Sequence, residues 1–252
     1  MKQDKQTIDL SCDTGEGVGN EEALMPYITA CNIACGGHAG SSASVKKMIE
    51  LAKNHHVKVG AHPSLPDREN FGRTYFEMPI DQLRKSLVDQ IKLVEECCDR
   101  YKLPLHHIKA HGALYNKSAT DPKLADLLIN IVKEHFPQAI LYVPYASVIA
   151  ERATGVIEIH YEGFADRNYE DDHSLVSRKQ KDALLTDKEQ VLQHCLRMIT
   201  ENKINTIQDR IIATNVDTLC VHGDSPQAVA LVQFLHEQLY SRNLLKHNPY
   251  GK

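Results

Sequence analysis

The sequence predicts an α/β protein, and within that class an irregular, closed or nearly closed (β/α) barrel of about seven strands. Two observations carry this expectation. Apolar runs rich in β-branched residues alternate with stretches of helical period along the 252 residues. Five of those runs end in ionisable residues set among glycine and alanine: His38, His62, His111 and His222 close four of them, and Asp13 with Glu16 close a fifth. Strand–helix alternation implies parallel strands joined by right-handed crossovers. Parallel folds present reactive side chains where strands end and loops begin, so five such ends read as one shared site. An open doubly wound sheet is the second choice, because periodicity does not decide whether a sheet closes.

The elements follow in order. Strands are expected over 7–12, 28–35, 57–61, 106–110, 139–143, 156–161 and 216–221. Between them, Ser44 reads as the N-cap of a helix that turns Val45, Met48, Ile49 and Ala52 inward. Asp81 reads as the cap of a long helix through Leu83, Leu87, Ile91 and Val94. Asp121-Pro122 places a cap and a first-turn proline before Leu124, Leu127, Leu128 and Val132. Two later helices run from about 187 to 202 and from about 226 to 240. No Pro/Gly/Ser-rich linker or composition change interrupts this order, so residues 1–252 read as one domain.

The bulk numbers set limits. A formal net charge of -4 argues against a nucleic-acid partner, which selects a basic face. No apolar run approaches the roughly 20 residues that span a bilayer, and Met1 to Gln6 lead into the first strand with no apolar signal segment. A cytoplasmic protein is expected. Seven cysteines is an odd number, and Cys12, Cys31, Cys35 and Cys220 sit in strand-like runs, where buried reduced thiols are the default. Cys31-x3-Cys35-x2-His38 is a poor zinc knuckle, since a strand aims alternate residues one way rather than around a metal.

The chemistry lies at the strand ends. Asp13 and Glu16 stand in a Gly-rich turn, open to roles as general base, metal ligand or amine anchor; capping a turn is the plain alternative for Asp13. Gly15-x-Gly17-x-Gly19 is no dinucleotide fingerprint, because Asn20 and Glu21 occupy the place of the third glycine and helix start. Lys109 and His111 point the same way if their segment is extended. A lysine facing into a barrel is costly alone, so a carboxylate or an anionic ligand should lie beside it. Asp166 and Arg167 are placed to pair with each other or to reach a substrate carboxylate, as are Asp67, Arg68 and Arg73 in another loop. Asp224-Ser225-Pro226 can equally cap the following helix. The pairs His55-His56 and His106-His107 read as surface or helix-end residues without a role. The chain has no P-loop, no G-x-S-x-G elbow, no H-E-x-x-H and no evident nucleophilic serine.

In their order and wording these segments resemble the LamB/YcsF family. The matching stretches are Asp9 to Gly17, Asn32 to Gly40, Gly60 to Ser64, Phe71-Gly72-Arg73, Lys109 to Asn116, Phe164 to Tyr169 and Cys220 to Asp224, which together span nearly the whole chain. The chain departs from the family pattern at Ser11, Gly37, Ser41, Thr74 and Ala110. The resemblance implies a barrel related to that of the polysaccharide deacetylases. It implies the role of the A subunit of an ATP-dependent 5-oxoprolinase, a cyclic amide hydrolase that opens 5-oxo-L-proline to L-glutamate with partner subunits B and C. ATP would be a co-substrate of the complex, handled in large part by the partners. On this reading Asp13 or Glu16 activates water, Lys109 stabilises the oxyanion, and His62 and His111 relay protons. Arg73 or Arg167 holds the substrate carboxylate, and Asn32, His38, Asp166, His222 and Asp224 complete the substrate contacts. Two other readings stand beside it. One is a metal-dependent carbohydrate or amide deacetylase with Asp13, His38 and His62 as ligands. The other is a non-catalytic substrate-binding subunit.

Overall fold

The computed structural model describes residues 7–224 and 227–246. Seven strands close a barrel in which every neighbouring pair is parallel. These are β1 (Asp9–Thr14), β2 (Ala30–Ala34), β3 (Lys58–His62), β4 (Leu105–Lys109), β5 (Ile140–Pro144), β6 (Ile159–Phe164) and, after a two-stranded antiparallel hairpin of β7 (Lys203–Asn205) and β8 (Ile211–Ala213), β9 (Thr218–Val221). Strand β9 inserts between β6 and β1 and shuts the sheet. Each expected strand is present, with the sixth displaced toward its C-terminal side. The hairpin β7–β8 has no counterpart among the expected elements.

Helices form the outer layer: α1 (Glu21–Leu24), α2 (Ser42–Asn54), α3 (Ile80–Tyr101), α4 (Gly112–Ser118), α5 (Pro122–His135), α6 (Val148–Ala153), α7 (Lys188–Leu196) and α8 (Ala228–Ser241). Helix α2 buries Val45, Met48, Ile49 and Ala52, as its spacing requires. Its N-cap, however, is Ser41 rather than Ser44. Ser44 is the third helical residue, and the two hydroxyls close a reciprocal capping box. Helix α3 starts one residue before Asp81, behind Pro79, so Asp81 supplies first-turn negative charge instead of a cap bond. Asp121 caps α5 as expected, accepting from the amides of Lys123 and Leu124. The helix expected over 187–202 is α-helical only to Leu196 and finishes in a π-helical turn, Arg197–Glu201. The expected lead of Met1 to Gln6 and the cap at Ser225-Pro226 lie outside the described residues. No described helix is long and apolar enough to cross a membrane.

The core has two faces. Outward residues of the strands (Leu10, Cys12, Cys31, Ile33, Val59, Ala61, Ile108, Leu141, Val143) pack against the helices as one buried apolar cluster. The inward residues are polar and recur every second position: Asp9, Ser11 and Asp13 on β1, Lys58 and His62 on β3, His107 and Lys109 on β4, Glu162 on β6. The barrel lumen is therefore a stack of ion pairs and hydrogen bonds, and its uppermost layer is the floor of the site. All seven cysteines are free, and six of them are buried.

Candidate active site

A cavity of about 610 Å³ opens at the rim where the strands end, floored by Asp13, Glu16, His62, Lys109, His111 and Glu162. Lys109 stands at its centre. Its ammonium lies 2.8 Å from Asp13 Oδ1, 3.0 Å from Glu162 Oε1 and 3.1 Å from Cys220 Sγ, with the Phe164 ring 5.2 Å away. The carboxylate that a buried lysine demands is thus supplied twice. Glu162 is absent from the residues that the sequence singles out, although its signal is there: an acid in step with His160 and Phe164 on the inward face of a strand-like run.

The electrostatics follow from burial. Desolvation acts to raise Asp13, but His62 and Lys109 beside it hold its carboxyl well below the usual range. Desolvation acts to lower Lys109, but Asp13, Cys220 and Glu162 hold its ammonium well above the usual range. Burial raises Glu162, with Lys109 opposing. The floor therefore holds a cation, Lys109, whose pairing with Asp13 keeps that carboxyl low, while burial pushes the second carboxyl, Glu162, up against the pull of the same ammonium.

Asp13 is aimed by a relay running down the lumen. Asn32 donates to Asp13 Oδ1 at 2.8 Å, and His107 Nε2 lies 2.8 Å from Asn32 Oδ1. His107 is fully buried and stacks on Tyr142 with ring centroids 4.1 Å apart. This corrects the reading of His107 as a surface residue: the inward face of β4 is polar, so its histidine is interior. His55 and His56 do end α2 at the surface. The relay also explains Gly60, because a Cβ there would come within 2.1 Å of His107 Nε2.

Beside the lysine lies a cluster of Glu16, His38, His62 and His111, whose candidate ligand atoms all fall within 4.8 Å of one another. His38 and His111 stack in parallel with centroids 3.7 Å apart, and His38 Nε2 meets Glu16 Oε1 at 3.0 Å. Burial holds His38 below the usual imidazole range and His111 far below it, the neighbouring histidines adding to the effect on His111. Asp13, named with His38 and His62 as a metal set at the sequence level, has Oδ1 engaged by Lys109 and Asn32 and Oδ2 3.4 Å from His62 Nε2.

Of the other residues that the sequence singles out, Arg73, Arg167, His222 and Asp224 line the cavity. Asp166 pairs with His222 (2.9 Å, Nδ1 to Oδ1), not with Arg167. Arg167 is buried and donates to the carbonyls of Val176 and Ala183, so it braces the 176–183 segment against the rim. Arg73 is half-exposed, 2.8 Å from Asp224, and Arg178 meets the same carboxylate at 3.3 Å. Nothing in the sequence marks Arg178, since it lies in a loop without a pattern. Arg68 donates to the carbonyls of Gly36 and Gly40 and stays outside the cavity lining, and Asp67 accepts from Asn70.

These features define a parallel (β/α) barrel with an acid–base floor at the carboxyl ends of its strands, the rim on which such barrels build their sites. The chain belongs to the LamB/YcsF family, whose model matches residues 8–249. It is 37% identical over 243 residues to the A subunit of 5-oxoprolinase from Staphylococcus aureus strain JH9, covering 94% of this chain and 97% of that protein. It is similar to the crystal structure of the lactam utilization protein from Thermus thermophilus, with a TM-score of 0.89 and 31% identity over 96% of this chain and all of that one. A putative cellobiose-phosphate cleavage protein from Enterococcus faecalis V583 shares the fold at a TM-score of 0.58 and 14% identity, covering 98% of each chain.

Proposed function

We propose that this chain is the lactam-hydrolysing subunit of an ATP-dependent 5-oxoprolinase, working with partner subunits B and C on 5-oxo-L-proline to release L-glutamate. The observation that carries the reading is the buried Lys109 between Asp13 and Glu162 at the floor of a cavity open to a small acid. The names of its relatives supply the substrate class. A five-membered lactam is a resonance-stabilised amide that water attacks slowly, so phosphorylation of its oxygen by ATP turns the ring carbonyl carbon into a far better electrophile.

On this reading the chain's residues divide the work. Lys109 faces the oxygen on which charge develops, a placement worth on the order of 3 kcal/mol for one good donor. Asp13, kept ionised, accepts the proton of the attacking water, and Glu16 is the other carboxylate in reach. His62 and His111 pass protons toward the ring nitrogen that leaves as the amine, and the γ-acyl phosphate so formed is hydrolysed by a second water to L-glutamate and inorganic phosphate. Arg73, with Arg178 beside it, binds the substrate carboxylate by exchanging it for Asp224. The sequence has no P-loop motif, and this reading gives most of the ATP step to the partners. The density of ionisable groups at the floor supports chemistry here over passive binding.

The test is release of glutamate from 5-oxo-L-proline with ATP, measured for the full chain with and without both partners. Turnover by the assembled complex, lost when this chain is omitted, is the expected result. A complex that turns over equally well without this chain refutes the reading.

A further inference from the structure

Two pairs of acid–base groups stand on opposite sides of the rim, and ring opening uses only one of them. His62 and His111 follow β3 and β4, while Asp166 and His222 follow β6 and β9. Asp166 is buried and spends both oxygens on His222. Oδ1 lies 2.9 Å from His222 Nδ1; Oδ2 lies 3.2 Å from the same nitrogen and accepts from the His222 amide at 3.2 Å. A carboxylate only accepts, so Nδ1 carries the proton and Nε2 the lone pair. Burial acts to raise Asp166, but His222 holds its carboxyl below the ordinary value. The Phe164 ring stacks on the imidazole, with centroids 5.2 Å and planes 15° apart, and fixes its tilt. That same ring lies 5.2 Å from the Lys109 ammonium, so the pair borders the floor of the cavity that His222 lines. Nε2 has no hydrogen-bond partner among the described residues. An imidazole aimed by a buried carboxylate, with its second nitrogen open, is the arrangement of a general base.

We infer that His222, held by Asp166, is the general base for the second hydrolytic step in this cavity, the cleavage of the γ-acyl phosphate to L-glutamate and inorganic phosphate. The inference rests on the lactamase reading and deepens it. Ring opening closes its own proton cycle through Asp13, His62 and His111, so a second water needs a second base. The other carboxylates of the lining are engaged, Glu162 by Lys109 and Asp224 by Arg73 and Arg178. The His222 side chain is 15% exposed, against 1% for His62 and 6% for His111, so water from the mouth reaches it more readily. That water gives one proton to Nε2 as its oxygen bonds to the γ-carbonyl carbon. The bond from this carbon to the bridging oxygen then breaks, and its electron pair leaves with the phosphate. The imidazolium returns its proton to the departing oxygen, and the new carboxyl loses the water's other proton to solvent. Asp166 is a positioning residue that acts through the imidazole.

The experiment supplies the assembled complex with 5-oxo-L-proline, ATP and hydroxylamine, which traps an acyl phosphate as its hydroxamate. Glutamate and hydroxamate are measured for wild type, His222→Gln, Asp166→Asn and the double variant, each shown folded by circular dichroism. Glutamate release should fall about 10²–10⁴-fold in His222→Gln while the ratio of hydroxamate to glutamate rises. Asp166→Asn should move that ratio the same way, and the double variant should be no worse than His222→Gln alone. Added imidazole should restore part of the glutamate release of His222→Ala, which a purely structural role would not allow. An unchanged ratio in folded His222→Gln overturns the inference, whether both products persist or both are lost, and leaves the lactamase reading in place. A wild-type complex that forms neither product removes the lactamase reading and this assignment with it.

Discussion

Lys109 shows how one side chain couples stability to chemistry. It is almost wholly buried, yet its charge sits between two carboxyl groups, so removing it strands Asp13 and Glu162 together in the lumen. Breaking a buried pair by deleting one partner costs about 3–5 kcal/mol. Lys109→Met should therefore lower the melting temperature as well as turnover, the latter by at least about a hundredfold. A neutralised neighbour separates the two effects: adding Glu162→Gln to Lys109→Met should restore part of the thermal stability and none of the activity. Recovery of turnover in the double variant, measured as glutamate release by the complex, would show that the ammonium is structural only. Asp13 is the mirror case. With its carboxyl held low by His62 and Lys109, Asp13→Asn should abolish turnover across the whole working pH range rather than shift a profile.

At the scale of elements, the period of two in the strands is the link from sequence to site. Asp9-x-Ser11-x-Asp13, Lys58 with His62, His107-x-Lys109 and His160-x-Glu162 put polar side chains on one face, and Leu10, Cys12, Val59, Ala61 and Ile108 between them face the helices. The seven strands and the meeting of Asp13 with Lys109 and His111 at one rim are legible in the sequence for that reason, and the cap at Asp121 is legible from the Asp-Pro pair that opens α5. What is not legible depends on contacts between strands. Glu162 and His107 acquire meaning only when β6 and β4 curl around a shared lumen, and the β7–β8 hairpin depends on pairing through Tyr169 and Thr206 at the barrel mouth. Sheet closure itself hangs on β9 reaching both β6 and β1. Gly60 gives this scale its prediction. Gly60→Ala pushes a methyl group into the His107 ring, tilts Asn32 and so misaims Asp13. Overpacking of this kind costs about 1–3 kcal/mol. Turnover should fall far more than that stability loss alone explains, and a His107→Ala change made alongside should return some of it by freeing space. A Gly60→Ala chain with unimpaired turnover would show that the relay does not orient Asp13. The capping readings are open to test in the same way: Asp121→Ala should cost about 1 kcal/mol at the start of α5, with turnover unchanged.

For the molecule as a whole, the lumen carries charge at both ends, and the lower end is a fastener rather than a site. Asp9 is fully buried and bonded by Lys58 at 2.8 and 3.0 Å, by Thr29 at 2.9 Å, and approached by Lys246 at 3.5 Å. It thereby ties β1 to β3 and to the segment near the C-terminus, whose Leu245 bridges Ile8. Burial acts to raise Asp9, but the two lysines hold it below the ordinary carboxyl value. A carboxyl whose pKa is lower folded than unfolded contributes stability that is complete above the unfolded value, near about 3.9, and fades as pH falls through the folded one. The share that Asp9 contributes should therefore stay level from neutral pH down to about 5 and drop below about 4, on top of the loss that begins below about 6.5 as the histidines held neutral by burial, His38 and His111 among them, favour the unfolded chain. Asp9→Asn should melt lower than wild type at neutral pH, and the gap should narrow in acid. Lys58→Met leaves the carboxylate buried against fewer charges, at a cost of about 3–5 kcal/mol. For a chain of this size that is a fall of roughly 6–20 °C. Replacing both members of the pair with apolar residues should recover most of the loss, because the penalty lies in the stranded charge and not in the missing bond. A Lys58→Met chain that melts with wild type at neutral pH, or an Asp9→Asn gap that widens in acid, would mean that water reaches the lower lumen and that the barrel is held shut by its apolar outer face alone.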